Sequence, residues 1–217
     1  MTTYFFGTDG GCLDAFHLFK ENNPNDENLK FLSDKHNIGE ILHNYRVNGP
    51  FSSIKNSEFK NSSFVYQCGS ALNHIDRNVW FEEAIKNGMV PKTLISKLAY
   101  IHSTASIGDG AVVYPGVKIM ANVKIGLNCI ILPNVVINHD SVIGDFSIIN
   151  SSCVVNGEVK IGHNTYLGSL SAIKEKINIT PKTTIGMFSN VLSDIKEQGL
   201  YYGNPAKFIN KNNQMSD

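Results

Sequence analysis

"IILPNVVINHDSVIGDFSII", residues 130–149, places Ile131, Ile137, Ile143 and Ile149 six residues apart. The count runs unbroken in both directions, from Ile101 to Val191, and all sixteen positions on it are aliphatic. A second, smaller set follows four residues after each, from Ala105 through Cys129, Ser141, Ser147 and Cys153 to Ile195. Six is not a multiple of 3.6, so a helix does not produce this pattern. An open amphipathic sheet would alternate at two, with turn clusters every 8–12 residues. A fixed period of six is the signature of a β-helix, in which each hexapeptide makes one short strand and a corner. Three hexapeptides close a triangular coil of 18 residues, with the aliphatic residue inward and the small residue in the crowded corner. Gly108, Gly126, Gly144 and Gly162 stand 18 apart, one per coil at one edge. Glycine there suits an unusual backbone angle or a close approach of the next coil. Asn138 stacks over Asn156 in the same way, so their amides can bond along the column. About five coils at ~4.8 Å per strand give a prism roughly 25 Å long.

The first hundred residues follow another rule. "TYFFGTDGG" is a short apolar strand opening onto a Gly-rich turn, and "CLDAFHLFKENN" carries Leu13, Phe16 and Phe19 at helical spacing, with Leu18 beside them. "LKFLSD" reads as a second strand ending at Asp34, and "SSFVYQCGS" as a third closing on Gly69 and Ser70. "NHIDRNVWFEEAIKNG" reads as a helix with Ile75, Val79, Trp80 and Ile85 on one side and Gly88 as its stop. Strands alternating with helices imply a small, Rossmann-like parallel α/β sheet. Ligands of such sheets lie beyond the carboxyl ends of the strands, where the Gly-rich turns are. Gly7, Gly10 and Gly11 fall short of a full dinucleotide fingerprint, and a plain structural turn fits them as well as a phosphate cradle. The expected division is an α/β domain over 1–95 and a β-helix with a C-terminal tail over 96–217.

Composition narrows the function classes. Of 217 residues, 42% are hydrophobic and 18% charged, and 19 basic residues balance 19 acidic ones. No basic excess favours nucleic acid or an anionic membrane surface as partner. No apolar run reaches the ~20 residues that span a bilayer, so no membrane insertion is expected. "MTTYFFGTDGG" lacks the charged start and apolar core of a signal peptide, and a cytoplasmic location is the expectation. The four cysteines show no C-x-x-C spacing, which argues against a zinc site or a disulfide framework.

His139 and Asp140 break the regular solenoid, with Ala121 and Gly157 one coil before and after His139. Small neighbours leave room beside the imidazole, which can accept a proton at neutral pH. Asp140 would raise its basicity by stabilising the imidazolium. Adjacent strand residues point to opposite faces, so the pair meets only if a corner falls between them or the backbone bends. A zinc hydratase built on such a prism needs three converging histidines, two of them five apart. His102, His139 and His163 are 37 and 24 apart, and no metal site is expected. A non-catalytic structural prism is the remaining alternative.

"INHDSVIGDF", "NGEVKIGHNTYLGS" and the terminal "GNPAK" resemble the hexapeptide acyltransferases. With the α/β part, the whole chain is similar to the bacterial sugar acetyltransferases that include sialic-acid O-acetyltransferases and the bacillosamine-pathway N-acetyltransferase. The resemblance implies that the β-helix is left-handed, that the chain forms a homotrimer, and that acetyl-CoA lies in the groove between neighbouring prisms. It assigns His139 as general base and Asp140 as the acid beside it. Gly157, Gly168, Ser169, Gly186 and Met187 match the positions that hold the acyl donor. Asp9, Gly10, Gly11, Ser33 and Asp34 match those that hold a nucleotide-linked sugar. The implied reaction is N-acetylation of a nucleotide-linked amino-deoxysugar in polysaccharide biosynthesis. O-acetylation of a sugar hydroxyl with the same base and donor is the alternative. Three departures mark this chain. Its first turn, Gly7–Cys12, lacks the family's histidine and carries Asp9; Ile148 stands where the family often has a second histidine; and the segment Gly69…Arg77 is stretched.

Overall fold

The computed structural model describes residues 1–68 and 74–211; Gly69 and Ser70, on which the third strand was expected to close, and residues 212–217 of the tail lie outside the described residues. Two compact units divide the chain: Met1–Cys68 with Asn78–Leu94, and Gly69–Arg77 with Ile95–Asp217. A single cut at residue 95 misses this excursion, because nothing in the sequence marks His74–Arg77 as part of the solenoid.

The first unit is built on β1 (Thr3–Phe6), α1 (Gly10–Asn22), β2 (Leu29–Leu32), β3 (Ile41–Leu42), β4 (Tyr45–Gly49), β5 (Ser63–Tyr66), α2 (Asn78–Lys86) and β6 (Val90–Pro91). The sheet order is β3-β4-β2-β1-β5-β6, parallel except for β3 against β4. β1 is buried throughout, and Phe5 packs on Phe16, Phe19 and Phe31 with ring centroids 5.4–5.9 Å apart. Its residues are apolar in succession because helices and 3₁₀ turns cover a parallel sheet on both faces. The sequence reading anticipates β1, β2 and β5 but not the β3–β4 hairpin. That hairpin turns on His43 and Asn44, with φ of 50° and 69°, instead of on the Asn-Gly pair that usually announces such a turn. α2 also differs from expectation. It starts at Asn78, after a 3₁₀ turn at His74–Asp76, and buries Phe81 and Ala84 while Val79 and Ile85 are exposed.

The second unit is a left-handed parallel β-helix. Sixteen two-residue strands run from Tyr100–Ile101 to Asn190–Val191, each ending on the aliphatic residue of the repeat. As far as Ala172–Ile173, each pairs in parallel with the strand 18 residues later, as Lys118↔Val136 and Ile119↔Ile137. Three flat faces result. Face A carries Val112–Val113, Ile130–Ile131, Ile148–Ile149, Tyr166–Leu167 and Thr184–Ile185, and continues into Leu200–Tyr202 and antiparallel Lys207–Asn210. Face B runs from Tyr100–Ile101 through Val136–Ile137 to Asn190–Val191, and face C from Ser106–Ile107 through Val142–Ile143 to Asn178–Ile179. Ile119, Ile131, Ile137, Ile149 and Ile185 fill the interior with no exposed surface. The small set occupies the corners. Ser141, fully buried, donates from Oγ to the Asn156 carbonyl at 2.8 Å and accepts from Val159 N–H at 3.2 Å, so its polarity is satisfied.

From Asn122 to Phe188 every sixth residue has φ between 45° and 63°, the left-handed region that turns each corner. Asn and Asp tolerate it, but Phe146, Leu170 and Lys176 hold it because the coils above and below fix the backbone. The glycine column serves close approach instead. A Cβ on Gly144 would stand 2.5 Å from His163 N and 2.7 Å from Gly162 C.

His74–Arg77 lies against this unit. Arg77, among the largest fully buried side chains, donates to Phe146 O at 2.7 Å and Asn128 Oδ1 at 2.9 Å. Asn164 Nδ2 donates to the carbonyls of His74 and Ile75, and the His74 ring packs on Tyr166. Ile148, on the same face as Tyr166, is buried.

Candidate active site

His139 and Asp140 sit at the corner between faces B and C, after Val136–Ile137 and before Val142–Ile143. Asp140 is the left-handed residue of that corner, with φ 60°. The turn brings two adjacent side chains together, and His139 Nδ1 lies 2.9 Å from Asp140 Oδ2. A corner is thus the reason the adjacent side chains meet. His139 has 61% of its side chain exposed and Asp140 49%. Gly157 lies one coil on, and a Cβ there would come within 2.7 Å of both Cε1 and Nε2 of the ring. The imidazole thus rests on bare backbone.

Asn122, one coil before Asp140, donates from Nδ2 to Asp140 Oδ1 at 3.0 Å. The hydrogen bonds from Asn122, then from His139, hold the Asp140 carboxyl below its usual range. Asn122, Asp140 and His139 form one polar chain along the corner. Sequence reasoning missed Asn122, although its 18-residue spacing from Asp140 was the available signal.

The five expected acyl-donor positions divide. Gly157 belongs to the His139 corner. Gly168 and Ser169, and one coil later Gly186 and Met187, lie at the corner between faces A and B. Gly168 N–H and Gly186 N–H bond to Ile185 O and Tyr201 O, both at 2.8 Å. These glycines therefore offer shape in place of amide donors. Exposed Met187, Leu170 and Phe188 line that corner with apolar surface. Within one chain, face B separates the two corners. His163 falls at the third corner, between faces C and A, bonded to Asn164 Oδ1 at 2.9 Å. Among the described residues no cluster of three His, Cys, Asp or Glu could hold a metal.

In the first unit, Gly10 and Gly11 open α1, and Asp9 is its extended N-cap with no side-chain capping bond. Asp9 instead pairs with Lys35, whose amine is held protonated by that hydrogen bond and by the carboxylate charge. The acidic residue in the first turn thus has its own counter-ion, unforeseen in the sequence. Ser33 is buried, with Oγ 3.3 Å from Thr8 Oγ1 and accepting from Lys35 N–H. Asp34 Oδ1 accepts from Phe51 N–H at 2.9 Å. Gly10, Gly11, Ser33 and Asp34 all stand at the carboxyl ends of β1 and β2.

Stacked two-residue strands with a left-handed corner every six residues define a hexapeptide β-helix protein. The chain belongs to the family described as the GMPPB C-terminal domain, whose model matches residues 89–199. No curated protein matches the sequence significantly. Solved structures share the fold over nearly the whole chain. One is a histidine-to-asparagine variant of perosamine N-acetyltransferase from Caulobacter crescentus in complex with CoA and GDP-perosamine, with a TM-score of 0.87 and 20% identity, covering 97% of this chain and 98% of that one. WeeI from Acinetobacter baumannii AYE gives 0.85 and 21%, covering 96% and 99%. The acetyltransferase domain of PglB from Neisseria gonorrhoeae, in complex with acetyl coenzyme A, gives 0.64 and 19%, covering 96% and 98%. At these identities the likeness is one of fold.

Proposed function

We propose that the protein is an acetyl-CoA-dependent N-acetyltransferase acting on a nucleotide-linked amino sugar, with His139 as general base. The observation that carries this reading is the exposed imidazole held by Asp140 over the bare backbone of Gly157. With Nδ1–H donating to Asp140, Nε2 carries the lone pair and has no hydrogen-bond partner among the described residues. The sugar amine attacks the thioester carbonyl, a carbon–nitrogen bond forms, and the carbon–sulfur bond breaks. Nε2 takes the proton from the nitrogen and returns it to the departing sulfur. Asp140, kept ionised, stabilises the intervening imidazolium.

The apolar strip at Met187, Leu170 and Phe188 suits the methylenes of a pantetheine arm. The start of α1 suits a diphosphate, since the helix dipole favours anions there. The perosamine N-acetyltransferase from Caulobacter crescentus, of the same fold, binds CoA and GDP-perosamine, which supports this assignment. A homotrimer, in which the His139 corner of one chain meets the Met187 corner of its neighbour, would bring the divided positions together. Among the described residues no helix is long and apolar enough to cross a membrane.

The test follows free thiol from acetyl-CoA with a panel of UDP-, GDP- and dTDP-linked amino sugars. Thiol release with one of them, lowered about 10²–10⁴-fold in kcat by His139→Ala, is expected. Release only with sugars that bear no nucleotide overturns the substrate assignment.

A further inference from the structure

We propose that Cys12 and Cys68 form an oxidisable dithiol that closes the Gly7–Cys12 turn. The site rests on the nucleotide reading only for its consequence; the chemistry stands on the first unit alone. Gly7 follows β1 with φ of 102°, and a Cβ there would lie 3.4 Å from Cys68 Sγ and 3.8 Å from Cys12 Sγ. Both sulfurs thus border the one space that the glycine leaves. Cys68 Sγ donates to Phe6 O at 3.3 Å and Cys12 Sγ to Gly7 O at 3.0 Å, so two thiols reach consecutive carbonyls of one turn. The place is the switch point of the sheet, where β2 lies to one side of β1 and β5 to the other.

The two thiols differ in reactivity. Cys12 is buried, and burial first, then the charge of Cys68, pushes its pKa up. Cys68 is partly exposed, so a solvent-borne oxidant reaches it before Cys12. Cys68 is therefore the sulfur that meets a peroxide first. Its thiolate attacks one peroxide oxygen, the O–O bond breaks, and the hydroxide released takes up a proton to give water and a sulfenic acid. Cys12 Sγ then attacks Cys68 Sγ, the S–O bond breaks, and the second hydroxide leaves as water with the Cys12 proton. Two thiols and one peroxide give one disulfide and two waters. A disulfide holds its Cβ atoms about 3.5–4.5 Å apart, so the bond ties the start of α1 to the end of β5. That tie restrains Asp9, Gly10 and Gly11, which begin α1. Cys129 and Cys153 share none of this, being buried among β-helix carbonyls, with the Cys129 thiol pushed up to about 12 by burial.

The reduced full-length protein is treated with hydrogen peroxide, and thiols are counted with peptide mapping by mass. The expected result is a fall from four titratable thiols to two and a peptide linking Cys12 to Cys68. Binding of UDP and GDP by calorimetry should weaken about tenfold or more on oxidation, the scale of a lost hydrogen bond to a charged group, and return with dithiothreitol. Cys68→Ser and Cys12→Ser should each abolish the crosslink. Four surviving thiols, or a sulfinic acid on Cys68 without a crosslink, overturn the dithiol. A crosslink that leaves an established nucleotide affinity unchanged overturns its regulatory effect. Reduced protein that binds neither nucleotide refutes the nucleotide reading and, with it, that effect, while the mass measurement still decides the dithiol.

Discussion

Gly157 shows how one absent side chain shapes the candidate site. The contact a Cβ would make is with the far end of the His139 ring, which can swing away. Gly157→Ala is therefore expected to change the midpoint of urea unfolding little, while kcat falls at least tenfold as the ring leaves Asp140. Circular dichroism with thiol-release kinetics checks the split. A large loss of stability would mean that the ring is packed, not poised. Asn122 acts at one further remove. Its amide and the His139 ring depress the Asp140 pKa, so the carboxylate charge survives to lower pH than usual and is lost only as pH falls through that depressed value. Asn122→Ala removes the first of these hydrogen bonds. The Asp140 pKa should rise toward its ordinary value, moving the loss of the His139 contact to higher pH. Carbon-detected NMR titration of the Asp140 carboxyl reads this directly. An unmoved titration refutes the role given to Asn122.

At the scale of the element, the hexapeptide is a unit whose stability depends on its neighbours, since each coil touches only those above and below. Ile161 sits mid-stack and is nearly fully buried, whereas Ile107 in an early coil is only partly so. Ile161→Ala should cost about 2–5 kcal/mol, and Ile107→Ala clearly less, measured as shifts in urea unfolding. Equal costs would deny that the interior is packed coil by coil. This dependence on neighbours explains what was legible in the sequence. Interior positions are fixed by burial, and burial writes a strict period of six, so the strands could be placed from the letters, whereas the meeting of His139 and Asp140 was legible only as a condition on the backbone between them. The left-handed corners at Phe146, Leu170 and Lys176 could not, because the stacked coils impose a conformation their side chains do not favour. Nor could the hairpin at His43–Asn44 or the Asp9–Lys35 pair, which join residues by tertiary packing without a repeat to announce them. The His74–Arg77 segment was hidden for the same reason. Arg77 meets Phe146 and Asn128 across 69 and 51 residues of chain.

For the molecule as a whole, the division of the expected acyl-donor positions between two corners is the decisive feature. His139 and Gly157 border face B on one side; Gly168, Ser169, Gly186 and Met187 border it on the other. The outward residues of face B between them include Val136, Val154 and Ala172, half-buried and apolar, a surface suited to a neighbouring prism. A ring of three chains in head-to-tail contact would join the His139 corner of each to the Met187 corner of the next. In that arrangement no chain carries a complete site. Co-expressing a His139→Ala chain with a Met187→Glu chain then separates the two possibilities. Met187 is exposed, so glutamate there should fold and repel the phosphates of the acyl donor without disturbing His139. Each variant alone should be nearly inactive. In randomly assorted trimers, half of the histidine corners are intact, half of the donor corners are intact, and about a quarter of the junctions therefore regain both. Activity near a quarter of the unaltered protein is the expected outcome. If each site were completed within one chain, the mixture would remain as inactive as its parts.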